Sequence, residues 1–210
     1  FEKNPEKGIL LLEKSSYNGD KLADFVVGFL YHEGKYVNRD IHKSIEKYKS
    51  ASTFDIKYAK NNLGILYKNG IPNEFLPNIG IAISYFEENI KKNNDEISMY
   101  NLSHIYIYHD YNTQRIIKSI ELLISSINSG FSPSIELLCI ALIKKFGNKI
   151  NDIKNELKKK CQLDLTERII ELIKQMKLFD QYIYETKYKY YEAIDYLYDF
   201  NGIDIVSKEI

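Results

Sequence analysis

Histidines are the residues of this chain best suited to bind a metal or to exchange a proton near neutral pH. The chain has four, which are His32, His42, His104 and His109. A helical zinc site needs two histidines four residues apart, so that both rings leave the same face of the helix. His104 and His109 are five residues apart and point to different faces. We therefore predict no metal site, and we interpret the histidines as surface or groove residues.

The usual sequence patterns of catalytic sites are also missing. No G-x-S-x-G, P-loop or G-x-G-x-x-G sequence occurs. Carboxylate pairs such as Glu87 with Glu88 fall on predicted solvent faces, where paired acid–base catalysis is not expected. The sequence Asn101-Leu102-Ser103 matches a glycosylation acceptor, but it falls inside a predicted helix. We predict that the chain is not an enzyme and that it binds no cofactor.

The two cysteines, Cys139 and Cys161, have no metal-ligating neighbours in the sequence. Cys139 lies in an apolar run, which predicts a buried free thiol rather than a disulfide. So few cysteines fit a reducing compartment, and we expect the cytoplasm. The chain begins with Phe1 rather than Met, which suggests a fragment or a processed form whose targeting signal has been lost.

The charge balance argues against nucleic acid or a membrane surface as the partner. The chain has 29 basic and 29 acidic residues, so its formal net charge is zero. Only three of the basic residues are arginine. Side chains that can bind a phosphate through two parallel hydrogen bonds are therefore scarce. No apolar stretch reaches the roughly 18 residues that span a bilayer. We expect protein partners, no nucleic acid and no membrane span.

An internal repeat organises the first two thirds of the chain. The sequence A-x-x-x-V-G-x-x-Y begins at Ala23 and recurs, with Leu in place of Val, at Ala59, 36 residues on. Weaker copies begin at Ser98 and Ser134. The first, fifth and ninth residues of this anchor share one helical face, which predicts the buried face of a helix.

The glycine of the anchor needs a physical reason, because glycine inside a helix costs roughly 1 kcal/mol relative to alanine. It is Gly28 in the first copy and Gly64 in the second, and small residues, Ser103 and Cys139, replace it in the weaker copies. This pattern predicts the close approach of a second helix.

A second helix follows each anchor. Asp40 reads as an N-cap before an amphipathic helix that contains Tyr48 and Ala51, with counterparts at 78–90 and 118–127. The stretch 7–16 reads as the same helix of a preceding, truncated unit. Two helices per unit predict an array of stacked hairpins. The expected helices span residues 5–17, 22–33, 40–53, 57–69, 78–92, 96–109, 114–128 and 133–146, with no sheet.

Over residues 5–143 the chain resembles the Sel-like (Sel-one-like) repeat family, a relative of the tetratricopeptide repeat. The family pattern A-x-x-x-L-G-x-x-Y-x-x-G, followed by D-x-x-K-A-x-x-x-Y-x-x-A, matches Ala23 to Ser52 closely. The resemblance implies an all-α, right-handed solenoid of stacked antiparallel helical hairpins. It also implies work as an adaptor or scaffold that binds other proteins.

Helical-hairpin solenoids present one helix of each pair on a concave wall. The third, seventh and tenth residues of each anchor lie opposite its buried face, and they include more aromatic and aliphatic residues than a solvated wall needs. Exposed apolar patches of this kind mark contact sites. The alternative, that packing between repeats buries some of them, stays open for Ile65 and Ile107. The predicted protein-binding residues are Phe25, Phe29, His32, Asn61, Ile65, Lys68, Tyr100, His104 and Ile107.

Three functions remain open at this stage. The first is a scaffold whose concave face binds a peptide or a helix of a partner protein. The second is a structural subunit that is locked permanently into a larger assembly. The third is the regulatory repeat region of a longer enzyme.

The repeat ends near residue 147, but helical patterning continues. We expect a solenoid over residues 1–147 and Tyr-rich capping helices over 148–210. The predicted apolar seam is Leu165, Ile169, Leu172, Met176, Phe179 and Ile183, followed by a second stripe at Tyr190, Tyr191, Ile194, Leu197 and Tyr198. The alternative is that this second helix projects and docks on another protein, because tyrosine is enriched at interfaces.

Overall fold

The computed structural model describes residues 4–54, 56–109, 112–147 and 149–183. These residues contain no strand, and their only bridge joins Ile71 to Phe75 in a loop. The helices are α1 (Pro5–Tyr17), α2 (Lys21–Glu33), α3 (Ile41–Ser52), α4 (Lys57–Asn69), α5 (Ile79–Asn93), α6 (Glu96–Tyr108), α7 (Thr113–Asn128), α8 (Ser134–Phe146), α9 (Ile150–Lys160) and α10 (Leu163–Ile183). The first eight confirm the predicted helices, with bounds that agree within one residue.

The chain separates into two compact units, Phe1–Lys149 and Ile150–Ile210. In the first unit, α2 packs against α3, α4 against α5, and α6 against α7, and each pair is an antiparallel hairpin. The hairpins stack because α1 also packs on α2, α3 on α4, α5 on α6, and α7 on α8. We call α2, α4, α6 and α8 the A helices, and α1, α3, α5 and α7 the B helices.

Polar side chains fix where the helices begin. The side chains of Asn4, Asp40 and Asn78 each accept a hydrogen bond from the backbone N–H three residues on, at the starts of α1, α3 and α5. At its other end α2 stops at Gly34, whose φ of 67° places it in the left-handed region that glycine adopts without strain. Local sequence thus sets the length of each hairpin arm.

The A helices α4, α6 and α8 also contact one another. Among the described helices, α4 contacts α6 and α6 contacts α8, whereas the neighbouring B helices make no contact of that extent with one another. Helices of consecutive units come closest on the concave side of a curved array. This is the arrangement expected if the A helices lie on the concave side of the array, which stays a prediction.

Glycine lets the two helices of a hairpin approach closely. A Cβ atom placed on Gly64 would lie 2.4 Å from Cε1 of Phe86, and one on Gly28 would lie 2.9 Å from Cδ1 of Tyr48. Both rings are fully buried. The close contact predicted from the two glycines is confirmed, and its partner in each case is an aromatic ring of the B helix.

Two of the anchor tyrosines, Tyr31 and Tyr106, contact charged side chains of the B helices on both sides of them. Tyr31 donates a hydrogen bond from its hydroxyl to Glu13 of α1, at 2.9 Å, and the ammonium of Lys43 lies 5.0 Å from its ring centre. Tyr106 repeats this arrangement: its hydroxyl donates to Glu87 at 3.0 Å, and Lys118 lies 5.5 Å from its ring centre. Each tyrosine thereby connects an A helix to the preceding B helix.

A buried carboxylate joins the first three helices. Asp24 is 2% exposed and accepts hydrogen bonds from the hydroxyls of Ser16 on α1 and Ser50 on α3, both at 2.6 Å. The ammonium groups of Lys47 and Lys21 lie 3.2 and 3.3 Å from its oxygens. Burial by itself would raise the pKa of Asp24, but these hydrogen bonds outweigh it and hold the pKa at about 2.

In the second unit, α9 packs against α10. The buried positions of α9 are Ile153 and Leu157. On α10, Ile169, Ile170 and Ile173 are buried, whereas Leu165 and Leu172 of the predicted seam are half-buried. Over residues 163–175 the buried face of α10 is thus turned by about one residue from the prediction, and the side chains of Met176, Phe179 and Ile183 lie outside what the structure describes. The predicted stripe from Tyr190 to Tyr198 lies outside the described residues.

The glycine contact gives the first testable prediction. Replacing Gly64 by alanine should lower the free energy of unfolding by about 1–3 kcal/mol, because the added methyl group overlaps the ring of Phe86. The matched control is Gly8→Ala in α1, where nothing lies within 4 Å of the added atom. That change should raise stability by about 0.5–1 kcal/mol through helix propensity alone. Urea denaturation measures both, and a Gly64→Ala protein as stable as wild type would contradict the contact.

Asp24 gives a prediction about pH. A carboxyl whose pKa is lower in the folded chain stabilises the fold above its unfolded pKa, and this stabilisation is lost as the pH falls toward the folded value. Here the pKa falls from 3.8 to about 2, which corresponds to about 2 kcal/mol at neutral pH. We expect this stabilisation to disappear between about pH 4 and pH 2.

The variant Asp24→Asn should therefore be less stable than wild type by about 2 kcal/mol at neutral pH, and the difference should shrink as the pH approaches 2. Urea denaturation at a series of pH values measures this. The exposed Asp152 provides the control, since Asp152→Asn should leave the unfolding free energy within about 0.5 kcal/mol of wild type. A constant difference between Asp24→Asn and wild type at all pH values would contradict the assignment.

Candidate protein-binding face

All nine residues predicted to bind a partner lie on the A helices α2, α4 and α6. The structure divides them by exposure. Four are partly exposed, namely Phe29, His32, Tyr100 and His104. Five are buried, namely Phe25, Asn61, Ile65, Lys68 and Ile107.

The burial of Phe25 and Ile107 corrects the expectation that both lie on an open wall. The ring of Phe25 lies 5.9 Å from that of Tyr48 on α3 and 6.1 Å from that of Tyr58 on α4, so it fills the joint between two hairpins. Ile107 is 0% exposed, and Lys144 of α8 reaches its backbone carbonyl at 2.6 Å. Both residues belong to the packing between repeats, the alternative that the sequence had left open for Ile107.

Helix α4 is enclosed along most of its length, since every residue over 59–68 is buried. Lys60 is 1% exposed and its ammonium lies 3.2 Å from Oε1 of Glu88 on α5. The Oδ1 atom of Asn61 accepts a hydrogen bond from Asn101 of α6 at 3.4 Å. Ile65 and Lys68, at 8% and 7% exposure, follow on the same helix. The middle of the predicted wall is thus occupied by packing and polar contacts.

The accessible part of the face therefore has two regions, one on α2 and one on α6. On α2, the ring of His32 meets Tyr48 edge-on at 6.2 Å, beside the half-buried Phe29. Burial, with Arg39 nearby, lowers the pKa of His32 to about 4. His32 is therefore neutral at physiological pH and can act as a hydrogen-bonding aromatic residue rather than as a cation.

On α6, the ring of Tyr100 meets Phe131 at 5.7 Å, and His104 lies 4.6 Å from Tyr108. The ammonium of Lys144 lies 5.0 Å from the ring centre of Tyr108. The sequence prediction had not included Tyr108 and Phe131. Tyr108 directly follows the last predicted position of its helix, so a wider helical stripe would have included it. We call Phe29, His32, Tyr100, His104 and Tyr108 the aromatic face.

Burial shifts the pKa of two titratable groups on the A helices, His32 and Cys139. His32 has its pKa far below neutrality, so it is a poor proton donor at physiological pH. Burial, followed by the nearby Glu136, raises the pKa of the Cys139 thiol to about 12, which removes it as a nucleophile. Within the described ranges, no three metal-ligating side chains lie together, and no helix is long and apolar enough to cross a membrane. Aromatic rings with polar edges are typical of protein interfaces.

This chain is similar to known proteins in its fold. No protein-family model matches the sequence, and no curated protein matches it significantly. Among solved structures, it is similar to c5321, a protective antigen of uropathogenic Escherichia coli that displays an SLR fold. That match has a TM-score of 0.60 and 21% identity over 65% of this chain, and it spans 28% of the antigen's length.

A Sel1 repeat protein from Oxalobacter formigenes is also similar, with a TM-score of 0.58 and 16% identity over 83% of this chain and 80% of that one. Both neighbours have the hairpin array that the anchors at Ala23 and Ala59 predict. The resemblance read from the sequence is thereby confirmed at the level of architecture, and this chain has the Sel1-like repeat fold.

Proposed function

We propose that this chain is a non-enzymatic scaffold that binds a peptide or a helix of a partner protein on the concave side of its A helices. The observation that carries the proposal is the aromatic face, where Phe29, His32, Tyr100 and His104 remain partly exposed on the inner helices. Apolar and aromatic groups that a fold leaves accessible on a concave surface favour contact with another protein.

The two regions of the aromatic face favour an extended ligand. They lie on α2 and α6, with the enclosed helix α4 between them. A ligand that contacts both regions must run across the hairpins rather than insert between two helices. Hairpin arrays commonly use their concave surface in this way. We infer the cytoplasm as the compartment, because Cys139 and Cys161 are both free thiols.

The fold comparison also supports a scaffold. Neither neighbour is described as an enzyme, since one is named as a protective antigen and the other as a Sel1 repeat protein. Because the chain spans a small part of the antigen's length, we propose a binding role for this region alone. Fold similarity does not choose the partner, which has to come from the site itself.

Site-specific photo-crosslinking tests this function. A photoreactive phenylalanine analogue placed at Phe29 or Tyr100 should form adducts with a partner protein in the source cells. The same analogue at Ser84, which is exposed on the B helix α5, should form none. Adducts at Ser84 and none at either inner position would place binding on the outer side and contradict the proposal.

The same residues give a mutational prediction. Replacing Phe29 by lysine should remove the adduct formed from an analogue at His32, and replacing Tyr100 by lysine should remove the one formed at His104. The reason is that interface centres lose about 2 kcal/mol or more on truncation. The melting temperature should stay near that of wild type, since both side chains are partly exposed. A fall in melting temperature that accompanies the loss of the adduct would show that these residues are structural.

A further inference from the structure

Two asparagines at the joint between α4 and α6 carry hydrogen-bonding atoms that the described fold does not use. Asn61 of α4 and Asn101 of α6 are 4% and 6% exposed. Among the described residues, Oδ1 of Asn61 accepts hydrogen bonds from Ser98 and Asn101, at 3.5 and 3.4 Å, while its Nδ2 donates none. Nδ2 of Asn101 also donates to the carbonyl of Ile97, at 3.1 Å, while its Oδ1 accepts none there.

The surrounding hydrogen bonds fix which way each amide points. The carbonyl of Ile97 can only accept, so the atom of Asn101 that faces it must be Nδ2. The same nitrogen faces Asn61, whose Oδ1 must then be the acceptor. Nδ2 of Asn89 donates to Ser98 at 2.8 Å, which leaves the proton of the serine hydroxyl for Asn61. One donor, Nδ2 of Asn61, and one acceptor, Oδ1 of Asn101, are therefore available for a ligand.

Both of these atoms reach solvent. Neither is among the buried side-chain atoms that lack a hydrogen-bond partner in the described part of the chain. The small exposed fraction of each asparagine therefore includes its available atom, and a ligand atom can approach where water does. Tyr100, which is partly exposed, directly precedes Asn101 on α6. The donor and the acceptor thus lie close to the aromatic face.

Packing alone does not require amides at this joint. At the position of Asn61 the first repeat carries Phe25, and at the position of Asn101 the fourth repeat carries Leu137. Both of these side chains are buried, at 3% and 4% exposure. Apolar groups of matching shape can replace a pair of buried hydrogen-bonding groups at little cost in stability. A structural role therefore leaves the two amides unexplained, whereas a role in binding explains them.

We propose, on the basis of the function proposed above, that Asn61 and Asn101 bind the main chain of an extended peptide segment of the partner protein. One residue of an extended chain presents its N–H and its C=O to the same side, as it does in an antiparallel strand pair. Its C=O accepts a hydrogen bond from Nδ2 of Asn61, and its N–H donates one to Oδ1 of Asn101. The two neighbouring A helices together thus recognise a single residue of the ligand through its main chain.

A helical ligand cannot make this pair of hydrogen bonds, because the N–H and C=O groups along a helix bond one another. Its unused N–H and C=O groups lie at opposite ends. An extended ligand also reaches both regions of the aromatic face. Packed helices lie about 8–10 Å apart, so roughly 20 Å separate α2 from α6. About six extended residues span that distance.

The test uses a decapeptide selected from a random-sequence display library for binding to the full 210-residue chain. A selected peptide is used only if Phe29→Lys or Tyr100→Lys weakens its binding, which is measured by fluorescence anisotropy. Ester versions of the peptide replace one amide N–H at a time by oxygen, which removes the donor and keeps the shape. One ester should bind wild type about fivefold or more weakly than the parent peptide. On Asn101→Leu, the same ester should bind within about twofold of the parent.

A second variant tests the donor. Asn61→Asp keeps the oxygen that accepts from Ser98 and Asn101, and it places an acceptor where the donor Nδ2 lies. Binding of the parent peptide should weaken about tenfold or more, because two acceptors then face each other. The matched control is Asn128→Asp, which makes the same change of charge at an exposed position of α7 and should bind as wild type. Circular dichroism checks that each variant is folded, and Asn101→Leu introduces no charge.

Three results would overturn main-chain binding. In the first, the peptide depends on Tyr100 but every ester binds within about twofold of the parent, which leaves the proposed function standing. In the second, transferred nuclear Overhauser effects show that the bound peptide is helical, which also leaves it standing. In the third, a photoreactive analogue at Tyr100 crosslinks within the purified chain, so that a segment of this chain covers the asparagines. Failure of the proposed function differs from these, because then no selected peptide depends on Phe29 or Tyr100, and main-chain binding fails with it.

Discussion

The contact between a small residue of the A helix and a large one of the B helix sets the geometry of the whole array. At Gly64 the helices lie so close that a single methyl group would overlap the ring of Phe86. This closeness lets the anchor residues Ala59 and Leu63 reach complete burial. A hairpin built around it is a packed unit, because protein interiors tolerate neither overlap nor gaps at such contacts. The hairpins then stack through the faces that remain on the outside of each packed unit.

Buried polar contacts add to the apolar packing within and between the hairpins. Asp24 connects α1, α2 and α3 through hydroxyl and ammonium donors, and Asn89 connects α5 to Ser98 of α6 and to the backbone carbonyl of Lys57. Ser126 of α7 similarly contacts Ser134 of α8 at 2.8 Å. Directional bonds of this kind fix the register of one hairpin on the next, because a buried polar group left unpaired would destabilise the fold.

Sequence periodicity predicted the helices and the glycine contact, but it did not separate the exposed residues of the proposed binding face from the buried ones. A period of 3.6 residues gives the direction of each side chain from its own helix, and so it placed Phe25 and Ile107 opposite the anchor face. Whether that direction is open depends on neighbours far along the chain. Tyr58 covers Phe25 from 33 residues away, and Asn101 reaches Asn61 from 40 residues away. The pattern of side chains along one helix does not reveal these contacts with other helices.

A single position of the repeat shows how neighbours decide the role of a residue. Just before the anchor, Tyr58 packs on the preceding A helix and Ile97 is 7% exposed, whereas Leu22 at the same position is 63% exposed. The three side chains are all apolar, so their sequence does not distinguish them. The difference is that a described hairpin precedes both α4 and α6, whereas the described residues before α2 form α1. The exposure of such a position therefore depends on which helices pack beside it and not on its own residue type.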